Sequence, residues 1–290
     1  MKRNSIMKLF VAIAVLGFAL QGVACSEHSS SAAAREKEEA SGDERDLPER
    51  EETRQSYKLA AGASVKVSGV NGSIDVETAD IDTAEVHIVR SARSRENLEF
   101  RKIKIEHTPD SLILEGGEND SDDDGLFSWF KPSVTVRHRV MLKLPRQVNL
   151  TANGTNGPVT IGEVAGSVRV SGVNGPVTIA QAESSAGISG VNGPVTATII
   201  KITDDGFRVK GVNGPVELHF NESLNASIEV KSLSGNFQPE LPNLVMEKKD
   251  SNSYRARIGE GGTPIIISGI NGSVRLLPAS LKDQPSAAAQ

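Results

Sequence analysis

Cysteine, aromatic residues and excess positive charge are all scarce in this chain. One Cys among 290 residues excludes an internal disulfide, a thiolate zinc cluster and a Cys-x-x-Cys redox pair. Lys and Arg total 32 against 37 Asp and Glu, a net charge of −5, so no basic excess is available to neutralise a nucleic-acid backbone. We therefore expect no nucleic-acid partner. The length favours one medium-sized domain with flanking segments.

The N-terminus has the layout of a secretory signal. Basic residues precede an apolar run over residues 9–20, which is too short to span a membrane and is followed by small residues and Cys25. The residues before Cys25 resemble the lipobox of bacterial lipoproteins, although Gly22 stands where that motif usually has Leu. This resemblance implies removal of residues 1–24, lipidation of Cys25 and a membrane anchor. Ser26 then implies sorting to the outer membrane, facing the periplasm or the cell surface. Ordinary signal-peptidase cleavage before Cys25 is the alternative.

The segments at the two ends of the mature chain are predicted to be disordered. Residues 25–55 combine small residues with a dense mixture of charges and contain very few apolar residues. Such a segment buries too little apolar surface to offset its ordering entropy, which predicts a solvated, charged tether. Residues 279–290 are predicted to be a disordered tail.

A Gly-Val-Asn-Gly motif recurs through the rest of the chain. The asparagines of its clear copies are Asn71, Asn156, Asn174, Asn192, Asn213 and Asn271. A worn copy, Ser-Leu-Ser-Gly, has Ser234 in the asparagine position, and the spacings from Asn156 to Ser234 are then 18, 18, 21 and 21 residues. A period of this length is typical of stacked supersecondary units.

The residues around each motif predict two strands joined by a sharp corner. Apolar residues alternate on both sides, as at Val168 and Val170 before Asn174 and at Val177 and Ile179 after it. Glycine permits the corner. The sequence therefore predicts an all-β fold over residues 56–278, a β-solenoid of 18–21-residue rungs in which stacked asparagines form an amide ladder.

A β-hairpin array is the structural alternative, because Asn-Gly between alternating apolar residues is also a hairpin signal. In hairpins the two strands around one Asn-Gly pair with each other, whereas in a solenoid each pairs with the neighbouring repeat. Residues 79–145 interrupt the repeat. There we expect longer strands, over 85–90, 98–107, 111–114 and 133–144, that extend or cap the stack.

The Gly-Val-Asn-Gly-Pro-Val-Thr repeats behind a lipoprotein-type signal resemble the bacterial DUF4097 β-strand-repeat proteins, often labelled adhesins. The resemblance covers about residues 60–278. It implies a right-handed β-helix-like fold, a location in the cell envelope and no established enzymatic activity.

Motifs that would carry chemistry are sparse. The outward positions of the repeats supply no column with two adjacent carboxylates, and no His-Glu-x-x-His or nucleotide-binding motif occurs. Residues 120–125 imitate the first half of a calcium loop, but Lys131 occupies the twelfth position, where a bidentate Glu is required. We therefore predict no catalytic, cofactor-binding or metal-binding residues.

The loop over residues 115–131 contains a cluster of aromatic residues. Phe127, Trp129 and Phe130 lie close together in a stretch that breaks strand alternation. They form either a lid over one end of the stack or an exposed contact loop for a partner.

These observations favour a non-catalytic cell-envelope protein, an adhesin or a binding and scaffold module on a lipid anchor. Its expected partners are the membrane and an unidentified envelope protein or glycan. Two alternatives are an enzyme acting on envelope polysaccharide and a scaffold that self-associates through its terminal rungs.

Overall fold

A computed structural model describes residues 47–117 and 135–279. The strands of these ranges form two large sheets. In spatial order, sheet 1 contains β1 (Glu49–Lys58), β4 (Thr83–Ala92), β7 (Val136–Pro145), β3 (Gly72–Ala79), β9 (Val159–Val164), β11 (Val177–Ala182), β13 (Val195–Ile199), β15 (Val216–Phe220), β21 (Val274–Pro278) and β17 (Phe237–Pro239). Sheet 2 contains β18 (Leu244–Lys249), β19 (Tyr254–Ile258), β16 (Ala226–Ser234), β20 (Thr263–Asn271), β14 (Phe207–Asn213), β12 (Ala186–Asn192), β10 (Val168–Asn174), β8 (Asn149–Thr155), β2 (Ser64–Ser68), β6 (Ser111–Gly116) and β5 (Ile103–Thr108).

Each Asn-Gly corner joins a strand of sheet 2 to a strand of sheet 1. At the corner of Asn174, for example, β10 lies in sheet 2 and β11 in sheet 1. Strand β10 pairs in parallel with β8 and β12, and β11 pairs in parallel with β9 and β13. The hairpin alternative is therefore wrong for these repeats. We call the two strands joined by one corner a rung.

The core contains the alternating apolar residues of both sheets. Val168, Val170 and Val173 of β10 are at most 2% exposed, as are Val177 and Ile179 of β11. The equivalent residues of the other rungs belong to the same cluster. Each large aliphatic side chain buried in this way contributes about 1.5–3 kcal/mol. One rung has few residues with which to enclose a core, so its burial depends on the rungs beside it.

The corners require glycine at two positions for different reasons. Gly172 has φ = +62°, in the left-handed region that favours glycine. Gly175 lies so close to the preceding corner that an added Cβ would be 2.6 Å from the carbonyl carbon of Gly157. The proline after the second glycine lacks an N–H, but its carbonyl is used, since the N–H of Val177 donates to Pro194 O over 2.9 Å. The motif thus permits close stacking of successive corners.

The order of the rungs in space differs from their order in the sequence at one end, and further strands extend the stack at the other. Strands β20 and β21, which flank Asn271, lie between the rung of Asn213 and the worn rung of Ser234. At the other end, β6 and β7 lie outside the rung of Asn71, and β8 and β9 lie on its inner side. The expectation that each repeat pairs with the neighbouring repeat of the sequence is therefore wrong for the rungs of Ser234 and Asn271, whereas the rungs of Asn71 and Asn156 are neighbours in both orders. The rungs share one shape, so packing and the intervening segments decide which of them become neighbours.

Two expectations about local structure are also wrong. Residues 49–55, assigned to the tether, belong to β1, which pairs antiparallel with β4 along its whole length. Its side chains are largely exposed, so backbone hydrogen bonds hold it and no apolar pattern reveals it. Residues 98–107, expected to form one strand, include the end of helix α1 (Arg95–Phe100), whose N-cap Ser94 accepts a hydrogen bond from the N–H of Asn97. No helix in the described ranges has the length and hydropathy of a membrane span.

Candidate functional site

The structure brings the six corner asparagines together in one row along the stack. Each side-chain amide donates to the Oδ1 of the asparagine in the adjacent rung. The Nδ2–Oδ1 distances are 3.0 Å for Asn156 to Asn71, 2.9 Å for Asn174 to Asn156, 3.0 Å for Asn192 to Asn174, 2.9 Å for Asn213 to Asn192 and 2.8 Å for Asn271 to Asn213. All the amides point the same way, so the row is a continuous, directional hydrogen-bonded ladder.

The first asparagine of the ladder contacts a buried histidine. Asn71 donates its Nδ2 to the carbonyl of Val136 over 2.8 Å and its backbone N–H to Nδ1 of His138 over 3.2 Å. The Nε2 of His138 lies 3.3 Å from the carbonyl of Arg101. Nδ1 therefore accepts and Nε2–H donates, which fits a neutral ring. Burial lowers the pKa of His138 to about 4. The hydrogen bond to the Arg101 carbonyl acts in the opposite direction, and the positive charge of Arg90 lowers the pKa further.

Arg90, in the strand beside His138, ties α1 to sheet 1. Its Nη1 donates to the carbonyls of Leu98 and Arg101, 2.5 Å and 3.0 Å away, and its Nη2 lies 2.8 Å from a carboxylate oxygen of Glu51. The sequence analysis missed this cluster. A signal was present, because Arg90 and His138 are polar residues in phase with the apolar alternation of their strands.

A groove lies on the outer face of sheet 2. Arg169, Gly187 and Arg208 occupy the same register position on the adjacent strands β10, β12 and β14. The groove, of about 390 Å³, lies over Gly187, and Ser189 and Lys210 also line it. The outward position of the two arginines and the glycine follows from the sequence pattern, but their arrangement around a groove does not.

A second, larger groove on the molecule is acidic. Asp80, Asp82, Glu85 and Glu183 line it together with Arg146. Three of these carboxylates face cations. The pairs are Asp80 with Arg146 (3.2 Å), Asp82 with Lys58 (3.5 Å) and Glu85 with Lys143 (3.8 Å). The hydrogen bond from the Thr83 hydroxyl, followed by the charge of Lys58, lowers the pKa of Asp82. This direction is opposite to the one a general acid for glycoside hydrolysis needs.

The remaining predicted site residues lie outside the described ranges. They are Cys25, the candidate lipid attachment site, and Phe127, Trp129 and Phe130 of the aromatic loop. The acidic segment that imitates a calcium loop is outside them as well. Within residues 47–117 and 135–279, no group of three or more His, Cys, Asp or Glu side chains is arranged to hold a metal ion.

Comparison with models of protein families finds no match, and comparison with curated proteins finds none at a significant level. Among solved structures, a candidate cell adhesion protein from Clostridium sporogenes is 10% identical with a TM-score of 0.46, and the match covers 80% of this chain and 100% of that one. A candidate adhesin from Bacteroides fragilis, also 10% identical, has a TM-score of 0.26 over 79% of this chain and 99% of that one. At TM-scores below 0.5, these likenesses carry no argument about function.

Proposed function

We propose that this chain is a non-catalytic binding or scaffold protein of the cell envelope, displayed on a lipid anchor, with its rungs wound into one β-solenoid. The observation that carries the proposal is the register of the outward side chains. Thr160, Thr178 and Thr196 stand at paired positions on adjacent strands of sheet 1, about 4.8 Å apart. A rigid surface that repeats at a fixed spacing suits the binding of an extended or repetitive partner.

Three features support the solenoid itself. Every Asn-Gly corner leads from one sheet to the other, each strand of a rung pairs in parallel with its counterpart in the adjacent rung, and the inward apolar residues of the rungs share one core cluster. The asparagine ladder adds a side-chain hydrogen bond between corners at each step from Asn71 to Asn271. Such stacking would hold the outward residues in fixed positions, which is what a binding surface or scaffold requires.

The anchor is tested by labelling cells that express the full chain with a palmitate analogue and then separating their membranes. We expect wild type to be labelled and to sediment with the outer membrane, and Cys25→Ser to lose the label and leave the membrane fraction. The control Ser26→Asp should keep the label and move to the inner membrane, because Asp directly after the lipidated cysteine is the usual retention signal of lipoproteins. Unchanged labelling of Cys25→Ser would exclude the anchor.

The binding role is tested with the full chain and isolated envelope material. Purified protein is mixed with washed envelope fragments, and the bound fraction is measured by sedimentation over a range of salt concentrations. We expect saturable binding. Turnover of peptidoglycan or another envelope glycan under the same conditions would contradict the non-catalytic assignment.

Self-association is a second candidate function, and one edge of sheet 2 favours it. Strand β18 is the last strand on that side, and Val245 and Met246 on it are 51% and 40% exposed. An edge strand with exposed apolar residues can pair with a second copy. If it does, Val245→Lys should reduce the sedimentation coefficient of any oligomer to that of a monomer.

A further inference from the structure

We propose that the groove over Gly187 binds an acidic polysaccharide, with Arg169 and Arg208 contacting its anionic groups. This inference rests on the proposed binding role and adds a ligand class on a second surface, the outer face of sheet 2, beside the threonine row of sheet 1. It rests on the shape of the groove, on its charge and on the polar groups that line it.

The shape comes from one missing side chain between two long ones. Arg169 and Arg208 are two strands apart, about 10 Å, and Gly187 lies between them in register. A Cβ added at Gly187 would meet nothing within 4 Å, so the space above this glycine is open. On the inner face of the same strands, Ile188 and Phe207 are at most 1% exposed. Their packing in the core fixes the position of the strands that form the floor of the groove.

The charge of the groove is opposite to that of the whole chain. Arg169, Arg208 and Lys210 are exposed around it, and no ion pair within the described residues joins any of them to a carboxylate. Asp205 also lines the groove, but the contact that Arg208 makes with it is a 2.7 Å hydrogen bond to the backbone carbonyl. The chain carries a net charge of −5. Three unpaired cations in one groove are therefore available to an anionic ligand, and a guanidinium can bind a carboxylate or sulfate through two hydrogen bonds.

The other lining residues favour a sugar over a nucleic acid. Ser167, Ser185 and Ser189 place hydroxyl groups along the groove. Those of Ser185 and Ser189 can donate and accept hydrogen bonds with sugar hydroxyls, while the Ser167 hydroxyl donates to Asn149 Oδ1 over 2.8 Å and can accept one. The described lining contains no aromatic side chain, which proteins commonly use to stack the bases of a single strand. A polysaccharide with carboxylate or sulfate groups fits this combination.

The test measures binding of a size-defined, fluorescently labelled oligogalacturonate to the full-length protein by anisotropy, at two salt concentrations. We expect saturable binding that weakens with salt. Arg169→Gln and Arg208→Gln should each weaken it about fivefold, since each removes a charge-assisted contact. Asp205→Asn should strengthen it, because the substitution removes the negative charge from the lining.

Two further variants separate binding at the groove from general charge effects and from unfolding. Gly187→Thr fills the groove with a residue that the strand accommodates, as Thr151 does at the same register position, so it should weaken binding while thermal stability is kept. Lys66→Gln removes a positive charge from the same outward row but outside the groove, and it should leave the affinity unchanged.

Several outcomes would overturn the inference. The first is that wild type does not bind oligogalacturonate. The second is that both arginine variants bind it with the affinity of wild type. The third is that wild type binds the neutral methyl-esterified oligomer as tightly as the charged one. A sulfated dextran that binds through the same arginines would support it with sulfate as the anion. Single-stranded DNA that binds more tightly than the glycan would overturn the ligand class. Labelling at Cys25 and sedimentation with envelope fragments do not depend on oligogalacturonate, so the proposed function can hold where this inference fails.

Discussion

Asn271 donates its side-chain amide to the Oδ1 of Asn213, 2.8 Å away, although the two residues are 58 positions apart in the sequence. The worn repeat of Ser234 lies between them in the chain but outside Asn271 in space. A serine in the asparagine position has no amide with which to continue the ladder. Because the rung of Ser234 is the last one in the row of corners, serine there ends the ladder without breaking a hydrogen bond between two asparagines.

This stacking order predicts energetic coupling between Asn213 and Asn271. A double-mutant cycle with Asn213→Ala and Asn271→Ala, measured by urea denaturation, should give a coupling energy of about 0.5–1 kcal/mol, the net value of one such hydrogen bond. The control pair Asn156 and Asn213 is separated by two rungs and should show none. Strict additivity of the Asn213 and Asn271 substitutions would contradict a contributing ladder.

Thr155 is predicted to destabilise its rung. It occupies the position held by Val173 in the next rung, is 2% exposed, and its hydroxyl has no hydrogen-bond partner. Thr155→Val keeps the shape and removes the unsatisfied group, so we expect a gain of about 1 kcal/mol in the free energy of unfolding. The reciprocal control Val173→Thr should lose a similar amount. A Thr155→Val protein with an unchanged or lower urea midpoint would show that the hydroxyl costs nothing.

Ser232 is predicted to be a strained residue in the worn rung. Its φ is +54°, whereas the equivalent residues of the next two rungs of the stack, Gly269 and Gly211, have φ of +65° and +61°. A non-glycine residue in this region costs about 1–2 kcal/mol. Ser232→Gly should therefore stabilise the protein by roughly half to one kcal/mol after the larger unfolded-state entropy of glycine is included. Thermal unfolding of the variants measures this gain. Ser232→Ala, which keeps the unfavourable φ, should unfold at no higher a temperature than wild type.

The buried His138 predicts a pH dependence of stability above the range in which carboxylates titrate. Burial lowers its pKa from 6.5 to about 4, so between these values the unfolded chain binds a proton that the folded protein does not. The free energy of unfolding should therefore be constant with respect to this group above pH 6.5. It should decrease as the pH drops from 6.5 toward 4, by up to about 3 kcal/mol. Urea midpoints measured from pH 7.5 to 5 check this.

His138→Gln retains one acceptor and one donor but does not titrate. It should flatten the pH profile between 6.5 and 5, although it can lower stability at every pH. If the variant and wild type lose stability in parallel as the pH falls, another group is responsible for the slope.

The repeat motif made much of the central architecture predictable. Alternation around Asn174 placed Val168, Val170, Val177 and Ile179 in the core, and the close approach of Gly175 to its neighbour explains why the motif contains glycine there. Strand β1 was not predictable, because its charged residues pair through the backbone and leave no apolar pattern. Helix α1 was missed because a six-residue helix contains little more than one full turn of periodicity.

The amino-acid sequence by itself determined the strand, the corner and the inward face of each rung, because these depend on the two-residue period of a strand and on the conformational freedom of glycine. Only the tertiary structure decided which rungs are neighbours, since the copies have nearly the same shape and local chemistry does not distinguish them. It also decided that Arg169, Gly187 and Arg208 form one groove and that Arg90 and His138 share a buried cluster. Residues far apart in the chain meet in this way because strands pair across the sheet rather than along the sequence.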